Sequence, residues 1–533
     1  MGHPTLLGRI QRQARVSYSA DTCLQSIEYH RFRIGIKWLL FDVNSLNVVD
    51  SVSTDHKILE VARNGARYVD IVDAVVLTGE SRSRVTQRLR TMVSHGFLLP
   101  PGRPSLLAET RPPTNYATFM VNVTQRCNLT CSYCYVNKGE FDYPEKPIAR
   151  MAIDTADNLV ERIYGLFPHF ETYCYHFYGG EPLMNFDTIR RIVATAETKA
   201  KQTETKAEYH ITTNGTLLDA NVADFMDVHR FTVYFSIDGD QHTHDELRRY
   251  SNGKGSFRTV EKNLAYLRSK KGVHLIGSSV IRKGFSLQAA LNQLEGHGAR
   301  QCKAERVRLH DGDELSLQAG IHQQYLGDIR GLVKHYITSL SQHRKPMDFR
   351  LSSKILQLLT KVRRTFFCPA GERMFGISAD GELYPCALHV GRSQSKLGDL
   401  NEGLDIQKQQ AFRDRFSWQS QEACRTCWNR HLCGGGCSAM VDRFGHEDCD
   451  ALRMESEAAI AVYQHFAATD PSKLYGLVSP KLVRWLDGKD NADEESAPVA
   501  LATEGPQRPD KNWEPHAQTL YQIQRRPPTS INS

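Results

Sequence analysis

Ten of the thirteen cysteines fall in tight groups, and their spacing could do chemistry. The first group is Cys127-Asn-Leu-Thr-Cys131-Ser-Tyr-Cys134, a CxxxCxxC loop. The second comprises Cys368, Cys386, Cys424, Cys427, Cys433, Cys437 and Cys449. In a reducing compartment grouped thiols argue for metal or cluster ligation over disulfides. A structural zinc site takes four ligands, so three close thiolates with no nearby fourth suit a [4Fe–4S] cluster with one iron left open. On spacing alone the second group fits either clusters or a pair of structural zinc sites. Cys23 and Cys174 read as buried structural thiols. Cys302, on an expected strand, faces either the barrel or the helices.

The rest of the chain is ordinary globular protein. Its 533 residues are 40% apolar and 24% charged, enough for two to four domains. Lys+Arg 67 against Asp+Glu 60 leaves +7, which gives no reason to expect a nucleic-acid partner. No apolar run approaches the ~20 residues of a membrane span, so no membrane partner is expected. Met1 to Arg15 lacks a secretory apolar core. A cytoplasmic location is expected.

Residues 1–24 read as an N-terminal extension. Over 27–50 apolar and polar residues alternate, as in strands. Helical stretches follow at Asp55–Asn64, Tyr68–Leu77 and Ser81–Ser94, the last with Val85, Leu89 and Met92 on one face. Together they predict a winged-helix module over 25–100, ahead of a proline-rich linker at 101–115. Over 116–345 strands are expected at Ala117–Val123, Tyr173–Tyr178, Tyr209–Thr213, Phe231–Ile237, Leu275–Ile281 and Gln301–Leu309. Helices are expected between them at 151–166, 186–203, 219–228, 258–270 and 286–296. That alternation predicts an α/β fold, a partial (β/α)6 barrel whose working loops lie at the strands' C-terminal ends. A helix at 320–343 precedes a cysteine-rich region at 346–467, and 468–533 reads as a C-terminal extension, mostly disordered tail.

The CxxxCxxC loop, with Tyr133 as its aromatic, resembles the signature of radical S-adenosylmethionine (SAM) enzymes. Further motifs follow in that family's order: Gly179-Gly180-Glu181-Pro182 closes the second strand, Thr213-Asn214-Gly215 the third and Ser236-Ile237-Asp238-Gly239 the fourth. The resemblance implies that Cys127, Cys131 and Cys134 hold the SAM-binding cluster. It further implies that Gly179, Gly180 and Glu181 serve the methionine amino group, with Ser236 and Asp238 at the ribose and methionine and Tyr133, Thr213 and Asn214 among the cofactor-binding residues. Arg248 is the first candidate for the SAM carboxylate, with Arg249 and Arg258 as competitors, and the strand around Val280 would contact adenine.

The second cysteine group is similar to the seven-cysteine SPASM motif of peptide-modifying radical SAM enzymes. By that resemblance Cys424, Cys427, Cys433 and Cys449 hold one fully ligated auxiliary cluster, and Cys368, Cys386 and Cys437 hold another with one ligand missing. The implied cofactors are SAM and three [4Fe–4S] clusters. Anaerobic sulfatase maturases share both regions and carry an Asp base directly after the cysteine equivalent to Cys386; here Ala387 stands there. Glu305, Asp311 and Asp313 are the candidate general bases.

The N-terminal module resembles the PqqD-like leader-recognition element of enzymes that modify ribosomally made peptides (RiPPs). Such elements bind a leader as an added strand. A purely structural role is the first competing reading, and DNA binding through Arg82, Arg84, Arg88 and Arg90 the next. The resemblance covers about residues 25–455. It implies a radical SAM/SPASM peptide maturase that forms a thioether or carbon–carbon crosslink in a precursor peptide, bound through its leader. A one-electron reductant such as flavodoxin or ferredoxin is the implied second partner. The alternatives are a sulfatase-maturase-like oxidase and a DNA-binding iron–sulfur regulator.

Overall fold

The computed structural model describes residues 19–102, 115–134, 150–307, 314–315 and 321–478. Six short strands open the chain: β1 (Cys23–Ser26), β2 (Tyr29–Ile34), β3 (Lys37–Asp42), β4 (Val48–Ser51), β5 (Ala66–Arg67) and β6 (Leu98–Leu99). They form two sheets rather than one, an antiparallel β2–β3–β4 meander and a β5–β1–β6 sheet. β1 thus begins two residues inside the stretch expected to be an extension, and Cys23 is exposed, not buried. Three helices, Ser53–Val61, Tyr68–Val76 and Arg82–Ser94, pack on this part. Val85, Leu89 and Met92 face inward as their spacing predicts. Three of the four arginines expected to offer a recognition surface are engaged by carboxylates: Arg82 pairs with Asp73, Arg84 with Glu80 and Arg88 with buried Asp55, while Arg90 is exposed.

Six parallel strands follow, β7 (Tyr116–Thr124), β8 (Thr172–Gly179), β9 (Lys206–Thr213), β10 (Thr232–Ser236), β11 (His274–Ile281) and β12 (Gln301–Arg306), each paired with the next in the sequence. The helices between them are amphipathic; Ile153–Leu166 buries Ala156, Leu159, Val160, Ile163 and Tyr164. A short helix, Gln241–Leu247, adds to the expected set. The sheet continues past β7. It takes in β13 (Met374–Ile377), parallel to β7, and then β14 (Glu382–Tyr384), β15 (Gly398–Asp399) and β16 (Gly403–Leu404). The cysteine-rich region is therefore joined edge to edge with the barrel in one ten-stranded sheet.

The helix Cys449–Thr469 closes that region, and Pro471–Leu477 packs beyond it with Leu474 buried. So the first residues of the expected tail are folded; residues 479–533 lie outside those described. No helix among the described residues is long and apolar enough to cross a membrane.

Period-two alternation divides each barrel strand between the helices and the interior. On β8, Tyr173 stacks on Tyr164 of the surrounding helix at 3.9 Å, while His176 turns inward and bonds Thr212 at 2.9 Å. Glu208 on β9 is buried beside Tyr116, whose hydroxyl donates to it at 3.3 Å. Burial pushes its carboxyl up to about 8, against smaller opposing pulls from Tyr116 and Lys206. The folded state thus keeps a proton that the unfolded chain releases, and stability falls as pH rises from 4.5 to about 8. Glu208→Gln removes that cost. Thermal melts should show the variant more stable than wild type at pH 8 by about 2 kcal/mol or more, converging near pH 4.5.

Candidate functional site

The CxxxCxxC loop leaves the C-terminal end of β7 and is fastened on two sides. Thr130 N donates to the Arg249 carbonyl at 2.8 Å and Ser132 N to that of Leu247 at 3.1 Å. From the other side Asn214 Nδ2 reaches Asn128 Oδ1 at 2.9 Å and Cys127 Sγ at 3.7 Å. Asn128 in turn donates to Thr216 Oγ1 at 2.8 Å. Asn263 holds the carbonyls of Gly215 and Thr216 at 3.1 and 3.0 Å. The motifs did not single out Asn128, Thr216 and Asn263. A signal for Asn263 exists: it is a polar residue on the buried stripe of Phe257, Val260, Leu264 and Leu267.

Gly179 and Gly180 bring the β8 end against this loop, with no room for a side chain. A Cβ on Gly179 would lie 2.2 Å from the Thr124 carbonyl oxygen, and one on Gly180 2.2 Å from that of Arg126. Gly179 also has φ +124, which side chains rarely adopt. The close approach here is to backbone.

Glu181 is fully buried, and both oxygens accept from the protein: Oε1 from Thr213 Oγ1 at 2.7 Å and Leu183 N at 3.1 Å, and Oε2 from Asn214 N at 2.7 Å. Burial lifts its carboxyl to about 7, with these hydrogen bonds opposing. Glu181 and Thr213 therefore splice β8 to β9, and the Asn214 side chain positions the cysteine loop.

Asp238 is the next hub. Its Oδ1 accepts from Ser279 Oγ and Val280 N, each at 2.9 Å; its Oδ2 accepts from Arg248 Nε at 2.8 Å and from the Tyr133 hydroxyl. Burial alone would raise its carboxyl, but Arg248, Tyr133 and Val280 together hold it below the ordinary range. The Arg248 guanidinium lies over the Tyr133 ring at 5.4 Å and is close enough to pull on the Cys131 thiol. Behind this pair, Asp238 N donates to His244 Nδ1 at 3.3 Å, His244 Nε2 meets Ser256 Oγ at 2.9 Å, and Ser256 Oγ donates to the Arg248 carbonyl at 2.9 Å. Burial, then Arg248, lowers His244 to about 4, so it is neutral at pH 7. Arg249 and Arg258 are exposed and occupied by the Asp245 carbonyl and Gln241. Arg248 is thus the buried cation of the three. Ser236 ends β10, buried beside this cluster.

The other thiols sort into the two expected sets. Cys386 feels Cys368 and Cys437, and Cys424 feels Cys433, Cys449 and Cys427. A cavity is lined by Cys424, Cys427, Cys433 and Cys449, and also by Cys437, Arg430 and Arg453. Among the described residues no three His, Cys, Asp or Glu side chains close on one metal ion. Four thiols around one cavity can hold a [4Fe–4S] cluster, which takes four thiolate ligands. Cys302 is buried in the barrel wall.

Glu305 projects into the interior beside Lys303, 3.4 Å away. These two keep about half of their surface accessible (46% and 53%), while Lys303 is within electrostatic reach of Tyr178 and Cys437. Val280 pairs with Glu305 across β11 and β12. Asp311 and Asp313 lie outside the described residues.

Comparison with known proteins agrees with this arrangement. The model of the radical SAM superfamily matches residues 121–287, and that of the SPASM iron–sulfur cluster-binding domain matches 368–428. An uncharacterized protein of Archaeoglobus fulgidus is 27% identical over 339 residues, 61% of this chain and 74% of its own. A cysteine-type anaerobic sulfatase-maturating enzyme of Clostridium novyi is 31% identical over 333 residues, 59% of this chain and 85% of its own. The solved structure of native anSMEcpe with bound AdoMet shares the fold at 18% identity, with a TM-score of 0.56 over 66% of this chain and 99% of that one. With the cysteine loop, the ordered strand ends and the all-thiol sets in place, the chain belongs to the radical SAM superfamily, as an enzyme carrying a C-terminal SPASM iron–sulfur cluster-binding domain.

Proposed function

We propose that this chain is a peptide maturase: one hydrogen atom is removed from a residue of a ribosomally made precursor, a thioether or carbon–carbon crosslink closes, and a second hydrogen leaves as a proton whose electron would pass to an auxiliary SPASM cluster. One observation carries the substrate class: the Clostridium novyi relative is a sulfatase-maturating enzyme, so its target is itself a polypeptide. Cys127, Cys131 and Cys134 would hold the SAM-binding cluster, and the two SPASM sets the auxiliary clusters. A SAM molecule bound at a reduced three-cysteine cluster supplies a 5′-deoxyadenosyl radical. Arg248, held by Asp238, would receive the SAM carboxylate, with Val280 and Ser236 lining the nucleoside side. Glu305, 3.4 Å from Lys303, is the candidate proton acceptor in the barrel interior. The N-terminal sheet would take the leader as an added strand, and a flavodoxin or ferredoxin would deliver the electron.

A second reading, a sulfatase-maturase-like oxidase, draws on the same relative. Against it, Ala387 is buried and carries no base where those enzymes carry an Asp. Anaerobically reconstituted protein, SAM, dithionite and synthetic peptides from short reading frames beside the gene separate the two. Crosslinking predicts 5′-deoxyadenosine, a mass decrease equal to a pair of hydrogens per link, and a residue bonded to another in fragmentation spectra. Conversion of a sulfatase-type cysteine peptide to an aldehyde, with no linked product from any precursor, would establish the second reading instead.

A further inference from the structure

The loop that carries Cys427 is gripped by the N-terminal hairpin. Arg430 lines the cavity of the four-cysteine set, and its Nη1 donates to the Cys427 carbonyl at 3.2 Å. The same guanidinium forks onto both carboxylate oxygens of Glu28, just before β2. Trp428, next to Cys427, is covered by the His30 ring, with centroids 3.8 Å apart and planes 2° from parallel. Phe41 meets it edge-on at 6.0 Å. His30 is fixed in turn by Glu457 at 2.8 Å, on the helix that begins at Cys449. Farther out, Lys361 Nζ donates to the Leu46 carbonyl at 2.7 Å.

The packing agrees with the polar contacts. Phe32, Leu39 and Phe41 belong to the core shared with the barrel and the SPASM region, whereas Leu40 and Val49 pack with the N-terminal helices. The hairpin is thus buried on both faces, which a freely tethered recognition domain is not.

We propose that Glu28 and His30 are positioning residues of the four-cysteine centre. Acting through Arg430 and Trp428, the N-terminal hairpin fixes the Cys427 loop and sets the potential and retention of its cluster. This rests on the cluster assignment made above. A thiolate-ligated cluster is anionic, so a guanidinium held in the cavity wall favours its reduced form, and outer hydrogen bonds orient ligating loops. Glu28 decides where that positive charge sits. A leader-recognition module built this way touches the redox machinery directly.

The test is potentiometric EPR on the full-length reconstituted chain, with iron release to EDTA followed in parallel. Arg430→Gln should lower the midpoint potential of one auxiliary cluster. Glu28→Gln should also move that potential, and the double variant should coincide with Arg430→Gln alone, because Glu28 acts only through Arg430. His30→Ala should speed iron loss from the same cluster several-fold while the SAM-binding cluster stays loaded. A Glu28→Gln shift that persists undiminished in the Arg430→Gln background overturns the proposal, as do potentials and iron loss unchanged in all variants. A melt of each variant keeps general unfolding distinguishable, since unfolding would release all clusters together. If Cys424→Ala binds as much iron as wild type, the ligand assignment fails, and this proposal with it.

Discussion

Cys131→Ala should reduce SAM cleavage to background and lower bound iron by about four atoms per chain, with the SPASM centres still loaded. The loop around Cys131 is held by backbone hydrogen bonds to Arg249 and Leu247 and by Asn214 on Cys127 and Asn128, none of which involves the Cys131 sulfur. The loop should therefore keep its path when that sulfur is removed. On the proposed assignment one of three thiolates is lost, and a cluster that would already lack a fourth protein ligand has no other cysteine in the loop to replace it. Burial pushes the Cys131 thiol up to about 11, with Arg248 as the leading opposing influence. The free thiol is thus protonated at pH 7 and gives up its proton on binding iron. Iron analysis, 5′-deoxyadenosine formation and a thermal melt check the prediction together. Cleavage at the wild-type rate with a normal melt would remove Cys131 from the SAM-binding centre.

Much of this site was legible in the sequence because its parts are local. A CxxxCxxC loop after an apolar strand places three thiols within eight residues, and the turns at Gly179, Thr213 and Ser236 announce strand ends by composition. Six strands and five helices could be placed because hydrophobic period is a local signal. What the sequence did not reveal is long-range and polar. Glu181 looks like a ligand from its motif, yet only the fold brings Thr213, Asn214 and Leu183 onto its oxygens. The parallel pairing of β13 with β7 joins residues far apart in the chain, and no local pattern encodes it. The hairpin strands were legible from their alternation, but their burial was not: the six residues of β3 end in a continuous buried run, Leu39 to Asp42, because that strand is covered on both sides.

Asp238→Ala should destabilise the protein by about 3–5 kcal/mol, because it leaves the buried guanidinium of Arg248 without its partner. The aspartate is 1% exposed and accepts four hydrogen bonds, which tie β10 to β11, to Arg248 and to Tyr133 of the cysteine loop. Asp238→Asn keeps the shape but turns a donor toward at least one of those donors, and should cost less, about 2 kcal/mol. The pH dependence identifies the charge. The folded-state carboxyl is held below its ordinary value of 3.8, so its contribution is full above that value and is lost as pH falls through the lower, folded one. The wild-type advantage over Asp238→Asn in urea unfolding should therefore be constant near neutrality and shrink below pH 3.8. The same substitution should weaken SAM binding, since Arg248 loses the contact that orients it toward the loop. A SAM affinity that matches wild type in Asp238→Asn, alongside the expected loss of stability, would assign Asp238 to the fold alone and free Arg248 from any dependence on it.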